Sequence, residues 1–232
     1  MEQRQSDPPV TIDRANRLRS AMSVTVATGV LAVAAAAVLF GLLQWRSATT
    51  VPEAGFWYEN GALTLPAGVA ARLGGPLEPQ EIAVIEATSR AGLERAFSGL
   101  RITITHNHHA FWRLVVRETL ASRGRSPNAG ESFELAPLGG AGAVSFLVLA
   151  IDGIEHAPPG ASRRQIIEGI GRGIGRAVAH ELAHQILGAD MHDNGTDPNS
   201  YEYFTSDRAS QYYGRLHWTT AWPFLQRKLG TR

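Results

Sequence analysis

Residues 161–193 read ASRRQIIEGIGRGIGRAVAHELAHQILGADMHD, and the fold is decided here. Ile166, Ile167, Ile170, Ile174, Val178, Leu182 and Ile186 recur at helical spacing, which predicts one long helix over 161–187. Ser162 is placed to cap its start, and Gly188 to end it with a left-handed residue. Gly169, Gly171, Gly173 and Gly175 each cost such a helix roughly 1 kcal/mol relative to Ala. Their presence predicts close packing against a sheet. Near the end of the helix stands His180-Glu181-Leu182-Ala183-His184. Helical residues four apart share a face, so both imidazoles can reach one metal ion. Glu181 projects from the same turn. A catalytic zinc takes three protein ligands and a water. That water's pKa falls to about 7, and a carboxylate beside it accepts the proton.

Composition agrees with metal chemistry. The 232-residue chain has no cysteine, which excludes a disulfide scaffold, a thiolate zinc site and a cysteine nucleophile. Lys228 is the sole lysine, so lysine chemistry is not expected. Lys+Arg number 22 against 21 Asp+Glu, a net charge of +1, so nucleic acid is not an expected partner. Apolar residues at 44% are enough for a packed core.

Upstream of the long helix, 56–65 contains Asn60-Gly61 between apolar flanks, a hairpin signal. Residues 79–100 suit an amphipathic helix, with Ile82, Val84, Ile85, Leu93, Ala96, Phe97 and Leu100 apolar. Residues 100–106 alternate and are β-branched, as in a strand, and 111–120 also lean to strand. Residues 124–130 read as a polar loop. The run 143–152, AVSFLVLAID, reads as a buried strand. Residues 222–229 read as a short terminal helix. The order of strands and helices predicts an α+β fold.

Residues 21–43 contain no charge and would span roughly 34 Å as a helix, enough for a hydrocarbon core. The run exceeds a usual signal-peptide core and no A-x-A site follows it. Trp45 and Arg46 suit an interface anchor. Arg4, Arg14, Arg17 and Arg19 precede the span, so the positive-inside rule places the N-terminus in the cytoplasm. The expected organisation is a cytoplasmic tail (1–20), a transmembrane signal anchor (21–43), a linker (44–55) and one domain (56–232) outside the cytoplasm.

The segment 180–193 resembles the elongated zinc motif of metzincin peptidases, in which a glycine turn leads back to a third ligand. That family's spacing is H-E-x-x-H-x-x-G-x-x-H. Here Gly188 and His192 come later, giving H-E-x-x-H-x-x-x-G-x-x-x-H. His192-Asp193 is similar to the His-Asp ending of adamalysin-like members. The chain departs from the family in having no methionine after Met191. The resemblance implies a zincin-like domain, a mixed sheet with an active-site helix. It implies Zn2+ held by His180, His184 and His192, with Glu181 as general base. Asp190, at the usual spacing of six after His184, and Asp193 are rival third ligands. Glu202 is another, because gluzincins use a Glu about twenty residues downstream on a second helix.

Other residues bear on the site. Tyr201, Tyr203, Tyr212 or Tyr213 could hydrogen-bond an oxyanion, though packing is the commoner role of a tyrosine. His217-Trp218 could lie beneath the metal. His106, His108 and His109 form a second cluster, either a separate metal site or a surface turn. The expected function is zinc-dependent peptidase action on a protein or peptide substrate. Strand 143–151, or a neighbouring edge strand, would bind the substrate by strand addition. The alternative is a catalytically inactive zincin-fold domain that binds metal or serves as an adaptor.

Overall fold

Strand β1 (Glu53–Tyr58) lies second from the edge of a five-stranded sheet. The computed structural model describes residues 51–121, 128–134, 139–188, 196–203 and 205–232. Strand β1 begins inside the expected linker. The reason is burial: Ala54 and Phe56 are each 1% exposed, and the strand is paired on both sides. Two helices follow, α1 (Ala67–Leu73) and α2 (Pro79–Ala96). Then come β2 (Thr103–Thr105), β3 (Trp112–Arg117), β4 (Gly130–Glu134) and β5 (Gly140–Ser145). The chain continues through α3 (Phe146–Glu155), α4 (Arg163–Leu187), α5 (Ala209–Tyr213) and α6 (Trp222–Leu229). The fold is α+β with a mixed sheet.

The strand order is β2-β1-β3-β5-β4. The first four of these strands run parallel, and β4 joins β5 antiparallel at the edge. Trp112, Leu114 and Val116 alternate into the core. Arg113, Val115 and Arg117 lie on the other face with Trp57 and Phe133.

Helix α4 is the central element, buried along most of its length. Ser162 caps it as expected: its Oγ accepts from Gln165 N at 3.3 Å, and Gln165 Oε1 accepts from Ser162 N at 2.8 Å. The glycines do not meet the sheet. A Cβ at Gly171 or Gly175 would strike α2, the latter 2.6 Å from Ser89 O. A Cβ at Gly169 or Gly173 would strike the Tyr213 and Tyr212 rings of α5. Spacing of four puts the two pairs on two helix faces, each admitting a different neighbour. The start of α4 is pinned by Arg163. Its guanidinium donates to both Glu81 oxygens, at 2.6 and 2.8 Å, and to Leu73 O at 2.7 Å.

Several expectations are corrected. The turn at Asn60-Gly61 forms, with Gly61 at φ 78° and Ala62 N donating to Glu59 O at 3.0 Å. No hairpin follows, because β1 is flanked by β2 and β3 and Pro66 leads into α1. The run 143–152 is not one strand. Ser145 Oγ accepts from Val148 N and starts α3, whose Phe146, Leu149, Ala150 and Gly153 face the core. Strand β5 is also interior, so it cannot accept a substrate strand; β4 is the edge. Gly130, expected in a loop, begins β4. Helix α6 lies where the terminal helix was expected. Among the described residues, no helix is long and apolar enough to cross a membrane. The tail 1–20 and the apolar run 21–43 lie outside the described residues.

Candidate metal centre

The last turns of α4 bring His180 and His184 together with their rings nearly perpendicular, at 85°. Their Nε2 atoms stand 3.1 Å apart. His180 Nδ1 donates to Tyr201 O at 2.8 Å, and His184 Nδ1 points to Gly188 O at 3.4 Å. A carbonyl only accepts, so each Nδ1 carries a proton. With neutral rings both Nε2 lone pairs would face one another, an arrangement that a cation between them would stabilise. Zinc–nitrogen bonds of about 2.0–2.1 Å at tetrahedral angles hold two nitrogens about 3.3 Å apart. The pair therefore fits the donor set expected of zinc, with backbone carbonyls fixing each ring.

Glu181 is 8% exposed and lies against the edge strand. A Cβ at Gly130 would fall 2.4 Å from Glu181 Oε1, so any larger residue there would shift the carboxylate. Ser132 Oγ donates to Glu181 O at 2.8 Å and ties β4 to the motif. One turn on, Gln185 Nε2 donates to Arg113 O at 3.2 Å, and its Oε1 accepts from Arg113 N at 3.3 Å. Helix α4 is thus registered to both β3 and β4 at the candidate site.

The expected ligand His192 and its rivals Asp190 and Asp193 lie outside the described residues. Among the described residues, no group of three or more His, Asp or Glu is placed to hold a metal. Glu202 has other work. Its carboxylate accepts from Thr219 N at 3.2 Å, Thr220 N at 3.0 Å and Thr220 Oγ1 at 2.9 Å. It also accepts from Ala221 N and Thr219 Oγ1. These donors fill the carboxylate's acceptor sites and close the turn into α6.

The tyrosines divide. Tyr213 OH donates to Gly153 O at 2.5 Å, and Tyr212 OH to Asp152 Oδ2 at 3.4 Å, which commits both to α3. Burial pushes both phenols above their ordinary range. Tyr203 OH accepts from Arg208 Nε at 3.3 Å. Tyr201 holds His180 through its main chain, while its ring lies 4.9 Å from Trp218. Trp218 is thus the support for the segment that orients His180. His217 pairs instead with Asp197 at 2.9 Å. The second histidine cluster is split: His106 Nδ1 meets Arg90 at 2.9 Å, and His108 stacks on Trp57 at 4.4 Å.

The Tyr201 carbonyl and the Gly130 wall were not found by sequence reasoning. Any residue supplies a carbonyl, so no side-chain signal marks the first. The second depends on a strand pairing distant in sequence. No family model matches this chain, and no curated protein matches it in sequence.

Proposed function

We propose that this chain is a zinc-dependent peptidase of zincin type, held on the outer side of a membrane by residues 21–43. The observation that carries the reading is the His180–His184 pair, with two Nε2 atoms converging and both Nδ1 atoms turned to carbonyls. His180 and His184 would hold the ion, with His192 as the third ligand implied by the resemblance. Bound zinc supplies Lewis acidity towards a carbonyl and a water. Glu181 takes one proton from the attacking water as its oxygen bonds to the scissile carbon. Glu181 then passes that proton to the nitrogen as the carbon–nitrogen bond breaks, leaving a carboxylic acid and an amine. The outer edge of β4 would align an extended substrate by main-chain hydrogen bonds, directly beside Glu181.

The test compares zinc content and cleavage of an unfolded protein for the parent, Glu181→Gln and His192→Ala. The parent should carry about one zinc per chain, as three protein ligands imply. Glu181→Gln should keep the metal and lose about a thousandfold in rate. His192→Ala should lose zinc. A parent with less than about one tenth zinc per chain would overturn the reading. Zinc retained without any cleavage would leave a metal-binding or adaptor domain instead.

A further inference from the structure

Helix α6 and the start of β1 meet at one corner of the domain. Arg101 N donates to Gly230 O at 2.9 Å, Arg232 N to Gly99 O at 3.0 Å, and Thr103 N to Pro52 O at 2.9 Å. Segment 99–103 thus joins the end of α6 to the point where the chain enters the domain. Leu225 and Leu229, four residues apart, seat α6 in the core. Phe224, Arg227 and Lys228 share another face and are exposed. Phe224 is 44% exposed and Val51 45%, although both are large and apolar. The Arg227 guanidinium lies 4.6 Å from the centre of the Phe224 ring. Among the described residues, no carboxylate pairs with Arg227, Lys228 or Arg232. Segments 51–53, 99–103 and 222–232 carry four basic side chains, Arg101, Arg227, Lys228 and Arg232, against one acidic one, Glu53. A ring rimmed by cations fits a surface that is anionic outside and apolar just beneath, which describes a lipid headgroup layer.

We propose that this corner docks on anionic lipid of the membrane that holds residues 21–43. Phe224 and Val51 enter the headgroup layer, and Arg227 and Lys228 lay their stems along it and meet lipid phosphates. The proposal rests on the anchor reading of 21–43. Seven residues, 44–50, separate that run from Val51, and they reach at most about 25 Å. The tether thus keeps Val51, and with it this corner, close to the membrane surface. One ring and a few charges bind lipid only weakly by themselves. A short tether makes the contact intramolecular and raises the effective lipid concentration. The far end of the domain supplies a comparison. Helix α2 ends beside segment 99–103, and its start, about 27 Å away, is held by the Arg163–Glu81 pair. The neighbouring Arg164 side chain is 85% exposed.

The chain has no cysteine, so a single one can be introduced and labelled. Full-length Thr231→Cys, at the exposed corner, and separately Arg164→Cys carry a nitroxide in lipid nanodiscs containing phosphatidylglycerol. Relaxation by oxygen, which concentrates in lipid, is compared with relaxation by a water-soluble nickel chelate. The ratio of oxygen to nickel accessibility should be severalfold higher at 231 than at 164. In the 231-labelled chain, Arg227→Gln/Lys228→Gln should shift the docked-to-free equilibrium towards water by about fivefold per charge. Phe224→Ser should shift it the same way, as should discs of phosphatidylcholine alone. A ratio at 231 no higher than at 164, or one unchanged in both variants, would overturn the proposal. So would a label at 231 shielded from both agents, the sign of a second copy or another protein packed there. A chain that does not stay in the discs removes the anchor instead. The 231-labelled chain is then mixed with phosphatidylglycerol vesicles, where lipid contact supports docking without the anchor and water exposure overturns it.

Discussion

At Gly130 a side chain would meet the Glu181 carboxylate, and this makes the position a probe of Glu181 independent of the proposed metal ligands. Gly130→Ala would put a Cβ 2.4 Å from Glu181 Oε1 and push the carboxylate aside. A displacement of about 1 Å at a reacting group costs on the order of a hundredfold in rate. Gly130→Ala should therefore cut peptide cleavage by about that factor while zinc content stays at the parent level. Zinc loss measured alongside activity loss would show that the carboxylate is not what moved. At this scale the sequence is most legible where the geometry is local. His180, Glu181 and His184 were readable because a spacing of four on one helix brings side chains together whatever the fold around them. The five donors that occupy Glu202 lie at 219–221, and nothing in the residues around 202 announces them.

Elements meet through small residues and through ion pairs such as Arg163–Glu81. Gly175→Ala gains about 1 kcal/mol of helix propensity. Against that, its Cβ would lie 2.6 Å from a main-chain oxygen of α2, which cannot yield without moving the helix. Overpacking of this kind costs about 1–3 kcal/mol, so the expected net effect is destabilisation, read as a lower midpoint in denaturant. The Arg163–Glu81 pair carries a pH signature. Donation from Arg163, the larger cause, holds the Glu81 carboxyl below its ordinary value against the opposing effect of burial. A lowered folded-state pKa stabilises the fold above the ordinary glutamate range, and the benefit disappears as pH falls through the lowered value. Glu81→Gln should thus be less stable than the parent by about 1–2 kcal/mol near neutrality. The difference should close in acid, and an unchanged gap down to the acid transition would contradict this origin. Helices α2 and α4 were legible from their period, with Ser162 capping α4 as well, and α6 as a short terminal helix. Helix α3 was missed although its 146, 149, 150, 153 spacing is helical, because a short apolar β-branched run satisfies both templates. Helix α1 was signalled by Pro66 and by Gly74 at φ 88°, a helix-ending glycine, but it has little amphipathic pattern of its own.

For the molecule as a whole, residues 51–232 form a compact unit, with a core running from Ala54 to Leu229. Expressed without the first 50 residues, this unit should melt cooperatively and stay in the supernatant. The full chain should remain with membranes after alkaline washing. Recovery of the full chain in the wash would remove the anchor from the proposal. The α+β class was legible from the mixture of periods. The strand order was not, because β1 pairs with β2 and β3 across long stretches of chain and such pairing leaves no local mark. The same order leaves the outer flank of β4 without a partner strand among the described residues. An open flank of this kind does not discriminate between a peptide and a second copy of the protein. On the proposed peptidase reading, the protein is then its own competitor. Specific activity should fall as protein concentration rises, through dimers joined edge to edge, and an added extended peptide should restore monomers as it occupies the flank.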